Sequence, residues 1–186
     1  MRHKSIRKKI GMPKREPWAK KPKGIPRWVK AIPESQAHGS GTLQKRLWRL
    51  TSDFVRIRDF YRYRGSCVAT GRVLWSWRDG NAGHWISYSV CRGLFKFDAR
   101  NIHLQEAISN KLSTREDWQQ YEATLIERYG VEYVNMLEDE NRKSPLKFTN
   151  EQIIERMKEL LIAMLELKER PEYHEWAITL MGQENG

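Results

Sequence analysis

Leu43, Leu47, Leu50, Phe54, Ile57 and Phe60 recur every three or four residues through TLQKRLWRLTSDFVRIRDFYRYR, residues 42–64. That period gathers them on one face of a helix. Arg46, Arg49, Arg56 and Arg58 are left on its remaining surface, and Arg64 falls in the turn that follows. The pattern then shortens. SCVATGRVLWSW, residues 66–77, is rich in branched and aromatic side chains and predicts two short strands about Gly71. Asp79, Gly80, Asn81 and Gly83 carry turn chemistry, which puts His84 just past a turn at the start of another extended piece. Residues 87–100 predict loop and short strand, and RNIHLQEAISN, Arg100 to Asn110, predicts a short helix.

Helical periodicity returns at Ser113, whose third successor is Glu116, a capping-box pattern; that helix ends at Gly130 and buries Trp118, Tyr121, Leu125 and Ile126. VEYVNMLE adds further turns. Thr149 and Gln152 cap a last helix in which Ile154, Met157, Leu161 and Met164 keep an a/d-like stripe. The stripe either closes the core or pairs with a second copy of the chain as a homodimer. The fold class is therefore α+β and mainly helical, with a small hairpin-and-helix unit between longer helices. Residues 1–40 read as a basic, proline-rich arm, 41–145 as the core and 146–186 as a C-terminal helical segment.

Charge sharpens the division. Of the 34 Lys and Arg and 23 acids, residues 1–30 hold twelve of the former and only Glu16 of the latter, so the formal net charge of +11 belongs to the arm and the rest of the chain is balanced. Pro13, Pro17, Pro22, Pro26 and Pro33 keep the arm extended. Lys8, Lys9, Lys20 and Lys21 on it suit a polyanion, DNA or RNA before an anionic membrane surface, with salt-sensitive binding. Arg46, Arg49, Arg56, Arg58 and Arg64 suit the same phosphates. Cys67 and Cys91 match no zinc knuckle, and a reducing compartment is the default. No apolar run approaches the roughly 18 residues of a membrane span and no signal-peptide core stands at the N-terminus, so neither export nor a membrane partner is expected.

GHW, residues 83–85, lies among tryptophans and fits either a corner of an aromatic core or catalytic apparatus. Phosphodiester hydrolysis needs a base for water and a cation for the phosphate. His84 suits the first task because imidazole titrates near neutrality, and Asp79 is an oxygen ligand nearby. In the RNIH segment, Asn101 and His103 alternate with Ile102 and Leu104; Asn101 and Asn110 suit ring orientation, metal binding or plain helix capping.

NAGHWISYS, LFKFDARNIHLQEAISN and YEATLIERYGVEYVNMLE together resemble the phage NinG family of recombination proteins, also called Rap, over about Leu47 to Leu167. That family resembles the histidine-asparagine-histidine endonucleases of beta-beta-alpha metal fold, and its activity is cutting branched intermediates such as Holliday junctions. The resemblance implies His84 as general base, Asn101 as its orienter, His103 as the second histidine of the trio and Asn110 as a metal ligand. The family's acid beside the catalytic histidine falls on Asn81, with Asp79 two residues earlier. Its two cysteine pairs fall on Cys67 and Thr70 and on Glu106 and Ser109, so no structural zinc is expected here. The expected activity is a Mg2+- or Mn2+-dependent DNA endonuclease acting on branched or duplex DNA in the cytoplasm of a bacterial host. The alternative is a noncatalytic DNA-binding or virion assembly protein on the same scaffold.

Overall fold

The computed structural model describes residues 40–111 and 114–173. In chain order these form α1 (Ser40–Arg62), β1 (Gly80–His84), β2 (Ile102–Glu106), α2 (Ala107–Lys111), α3 (Arg115–Tyr129), α4 (Val131–Lys143) and α5 (Asn150–Lys168). Short 3-10 turns occupy Gly93–Phe97 and Pro171–Tyr173. The described part is thus mainly helical with a single antiparallel hairpin. Among the described residues no helix is long and apolar enough to cross a membrane.

The long helix α1 is the scaffold. Leu43, Leu47, Phe54 and Ile57 of its apolar stripe are buried, and α5 packs Ile153, Met157, Leu160, Ala163 and Leu167 into the same core. Burying each such side chain is worth about 1.5–3 kcal/mol, enough for this helix pair to organise the rest. The C-terminal stripe therefore lies against α1, with Ile153 rather than Ile154 as its first buried residue. Residues 146–173 share their core with residues 41–62, while residues 1–39 lie outside the described residues. Ala82, Phe97 and Ile102 join the hairpin to this core. A second cluster, Cys67, Val68, Ala69, Tyr121, Leu125 and Val134, joins the segment before β1 to α3 and α4.

Local signals placed the helix ends well. Thr149 accepts from the Gln152 amide and the Gln152 side chain returns to the Thr149 amide. The same box opens α3, one residue later than expected: its members are Thr114 and Asp117, not Ser113 and Glu116. Gly130 ends α3 as expected.

The extended pieces differ from the sequence reading. Residues 66–77 form a turn closed by a lone bridge between Ser66 and Val73, not two strands. The glycine-rich GNAGH is itself a strand, and His84 is its last residue. RNIHLQEAISN divides: Ile102–Glu106 pairs with β1 and only the following five residues are helical, so Asn101 and Asn110 do not share a helix. Turn residues enter a strand here because the bonds that extend them come from a segment about twenty positions away, which local propensity does not register.

Candidate functional site

The hairpin register sets Gly83 opposite His103 and His84 opposite Ile102. Immediately beyond, the Trp85 amide donates to the Asn101 carbonyl at 2.8 Å. The Asn101 side chain then grips the next peptide, accepting from the Ile86 amide at 2.8 Å and donating to the Ile86 carbonyl at 3.1 Å. Fully buried Asn101 thus imitates a strand partner and fixes the main chain two residues past His84. It is a positioning residue acting through the backbone.

His84 itself is half-buried. Its Nε2–H donates to the Lys96 carbonyl at 2.9 Å, and its ring stacks on Trp48 with centroids 5.2 Å apart and planes 14° from parallel. Tyr88 meets the ring edge-on at 5.5 Å. A carbonyl can only accept, so this contact assigns the ring proton to Nε2 and leaves Nδ1 as the lone-pair nitrogen in the neutral form. Burial lowers the His84 pKa below its ordinary 6.5, and the Lys96 carbonyl, which favours the charged ring, only partly offsets that. Near neutral pH the side chain is an unprotonated base.

His84 lines an open cleft of about 750 Å³ between the start of α1, the hairpin and the first turns of α3. Lys45 and Trp48 enter it from α1, Gln105 from β2, Asn110 from α2, and Asp117 and Trp118 from α3. Gly83 makes the floor passable. A β-carbon there would stand 1.9 Å from Gln105 Oε1 and 2.9 Å from Asn110 Oδ1, so only glycine leaves room for both amides. The Gly83 carbonyl is held from the other side by the Tyr121 hydroxyl at 2.9 Å.

Of the residues expected from sequence, the cleft brings together His84 and Asn110. Asp79 and Asn81 are both exposed and do not line it, although Asn81 is the cross-strand neighbour of Gln105. His103, expected in the catalytic trio, is completely buried. Its Nδ1 lies 3.2 Å from Asp59 Oδ2 and its Nε2 3.1 Å from the Arg100 carbonyl, so both nitrogens are committed. It secures the hairpin to α1 and does not line the cleft.

Arg58, expected on phosphates, is likewise drawn inward: it donates to Asp59, to the Ala99 carbonyl at 2.8 Å and to the Ile102 carbonyl at 3.0 Å. Arg46, Arg49 and Arg64 are exposed. Arg56 is half-buried, pairing with Asp53 and lying over Trp77. Arg49, Arg56 and Arg78 share a shallow groove that meets the His84 cleft at Trp48. Lys8, Lys9, Lys20 and Lys21 lie outside the described residues.

Gln105 and Asn110 bring amide groups to the lining of the cleft and Asp117 a carboxylate, oxygen donors of the hard class. Among the described residues no three His, Cys, Asp or Glu side chains converge as a metal cluster. Sequence reading missed Gln105, Trp48 and Asp117. Gln105 left a trace in the alternation of His103, Leu104 and Gln105; Trp48 stands one position off the α1 stripe and left none.

At the positions corresponding to cysteine pairs in the NinG-like pattern, Cys67 Sγ accepts from the Glu106 amide at 3.2 Å and lies 3.9 Å from Ser109 Oγ. Hydrogen bonds hold these two segments together. Comparison with curated proteins and with solved structures returns no match. The profile of the bacteriophage lambda NinG protein family matches residues 2–170, nearly the whole chain, and the protein belongs to that family.

Proposed function

We propose that this protein is a structure-selective DNA endonuclease of the histidine-asparagine-histidine type, hydrolysing phosphodiester bonds in branched recombination intermediates such as Holliday junctions. The observation that carries the reading is the bond from His84 Nε2 to the Lys96 carbonyl, which leaves Nδ1 of a cleft-lining, neutral imidazole to take a proton from water. Trp48 holds the ring plane, and Asn101 holds the backbone that carries it. Bound Mg2+ or Mn2+ would neutralise charge on the scissile phosphate and leaving oxygen. Lys45 at the cleft and Arg49, Arg56 and Arg78 along the adjoining groove position the backbone by its phosphates. Such contacts select shape and not base sequence, as a branched substrate requires. The setting is the cytoplasm of a phage-infected bacterium.

A second reading, a noncatalytic DNA-binding or assembly protein on this scaffold, is favoured by the exposed placement of Asp79 and Asn81 away from the cleft. The two part in one experiment. The full chain and His84→Ala are incubated with labelled four-way junction and linear duplex, with Mg2+, with Mn2+ and with chelator. Metal-dependent junction cutting that is lost in the variant supports the endonuclease. Salt-sensitive junction binding with no cutting in any condition sinks it.

A further inference from the structure

Trp75 is 96% exposed, while Leu74 and Trp77 on either side of it turn toward the protein. Leu74 Cδ1 lies 2.7 Å from where a β-carbon on Gly80 would be, and Trp77 packs against the α1 core. The Trp75 backbone is tied on both sides. The Leu74 amide donates to the Gly65 carbonyl at 2.9 Å, and the Asp79 amide closes a turn by donating to the Ser76 carbonyl at 3.0 Å. A large flat ring thus projects into solvent from a fixed point. Beside it runs the groove of Arg49, Arg56 and Arg78, with Asp53 as its lining acid. Arg56 and Arg78 lie over the Trp77 ring, 5.1 Å and 4.4 Å from its centroid, so that ring is already engaged and Trp75 is the free one. Arg72, 3.6 Å from Glu106, and Asp79 are exposed on the same loop. The groove follows α1 from the His84 cleft at Trp48 to Trp77 at Arg56. From Trp48 to Arg56 the helix spans about 12 Å, a few base steps along a DNA strand.

We propose that Trp75 is a base-stacking residue, taking the open face of a base at the branch point of DNA while the groove arginines hold the adjoining phosphates. This rests on the branched-DNA part of the endonuclease reading and is independent of cutting. Every base has a π-face, so an exposed indole accepts any of them and reads no sequence. Within a continuous duplex the bases cover one another, and only phosphate contacts are on offer. A branch interrupts that stack and frees a face. The arginines alone would therefore hold duplex and junction alike, and Trp75 adds the preference for the branch. Charge selects the occupant: a row of guanidinium groups beside the ring suits a polyanion and disfavours a plain apolar protein surface. The length of the groove sets the branch a few base steps from the phosphate at His84.

The test is binding of the full chain to three labelled DNAs, read by fluorescence anisotropy in chelator: a four-way junction, a forked duplex with open arms, and a fully paired linear duplex. Trp75→Ala is expected to weaken junction and fork binding about fivefold or more, the worth of one stacked base. Its linear-duplex affinity should stay within about twofold, since the phosphate contacts remain. Trp75→Tyr, which keeps an aromatic face, should recover most of the loss. Arg49→Ala should weaken all three together. Because the ring is exposed, Trp75→Ala should leave the melting temperature unchanged. Equal losses on the three DNAs, no loss on any, as a surface for a protein partner would give, or a Trp75→Tyr no better than Trp75→Ala would each overturn the stack. So would a wild type without preference for junction or fork. The two ideas fail separately. Normal junction binding and cutting by Trp75→Ala beside a dead His84→Ala removes the stack and keeps the endonuclease. A Trp75-dependent junction preference in a chain that cuts nothing keeps the stack and removes the endonuclease.

Discussion

The amide oxygen of Gln105 stands 1.9 Å from where a β-carbon on Gly83 would be, so the glycine before the cleft histidine is a matter of space and not of backbone angle. Gly83→Ala is expected to fold, because the obstructing atoms are the ends of flexible side chains. The overpacking should cost about 1–2 kcal/mol. It should also displace both amides from the cleft beside His84, so that junction cutting falls at least tenfold while thermal unfolding shifts by only a few degrees. A variant that cuts junctions like the wild type would show that the space beside Gly83 does not matter to the cleft.

His84 sets the pH profile. Its pKa lies below 6.5 because burial disfavours the charged ring, so the rate should rise with pH through an apparent pKa under that value and level off by about pH 7. Trp48 supplies much of the dry surface by stacking on the ring. Trp48→Ala should therefore let water in, raise the His84 pKa toward its ordinary value and move the acid limb of the profile upward. Single-turnover cutting measured across pH 5–8, roughly the range over which imidazole titrates, gives the comparison. An unmoved limb in Trp48→Ala means that a group other than His84 is titrating.

How far the sequence disclosed this arrangement depended on the distance over which each element is determined. α1 and α5 were legible because three-and-four spacing and a Thr149–Gln152 cap are contained in the segment itself. β1 was not, since GNAGH has turn chemistry and becomes a strand only through pairing with Ile102–Glu106. His84 and Asn110 were candidates from their own chemistry beside a turn and the RNIH segment, and the family resemblance assigned their roles. The burial of Arg58 and His103 was hidden because its cause, Asp59, sits in an unremarkable helical position and finds its partners more than forty residues away.

Asp59 is the hub of that hidden network. It accepts from Arg58 Nε at 2.6 Å and from the Leu104 amide at 3.0 Å, beside His103 Nδ1. Burial alone would raise its pKa, but Arg58 and then His103 outweigh that and hold the carboxyl well below the usual carboxylate range. For His103, burial outweighs the pull of Asp59 and lowers the pKa below 6.5. Both folded-state values lie below the unfolded ones, so the folded protein binds fewer protons. Stability from His103 is complete above about pH 6.5 and begins to fall below it, and that from Asp59 falls from about pH 4 downward. Urea unfolding between pH 7 and pH 4 should show this decline. Asp59→Ala should cost about 2–4 kcal/mol by leaving half-buried Arg58 and the buried Leu104 amide without their acceptor. A loss under about 1 kcal/mol, the worth of an ordinary surface pair, would mean that the network contributes little.

Arginines of the same helix should separate by burial. Arg49→Ala, in the groove, should weaken junction binding severalfold and reduce its salt dependence by about one counterion, with little change in melting temperature. Arg58→Ala should do the reverse, lowering the melting temperature first. Binding isotherms at several salt concentrations, beside thermal melts, resolve the two. Equal salt slopes for Arg49→Ala and the wild type would place the DNA elsewhere.

Cys67 still meets the segment that begins at Glu106 as if sulfur ligands belonged there. Its Sγ accepts the Glu106 amide and lies 3.9 Å from Ser109 Oγ, and both Cys67 and Ser109 are buried. A tetrahedral zinc with Zn–S bonds of about 2.3 Å needs sulfurs roughly 3.8 Å apart, so the backbone already holds that pair at the required spacing. The exposed ion pair of Glu106 with Arg72 adds little to this contact. The triple variant Thr70→Cys, Glu106→Cys, Ser109→Cys is therefore expected to take up one zinc per chain and to melt at higher temperature with zinc than with chelator. The wild type should show no such difference. Cobalt substitution, with its thiolate charge-transfer absorption, reads the ligand set directly. A folded triple variant that takes up neither metal would mean that residues 67–70 and 106–109 only resemble a zinc cradle in sequence, and that their packing is set wholly by the apolar cluster around Val68, Tyr121 and Leu125.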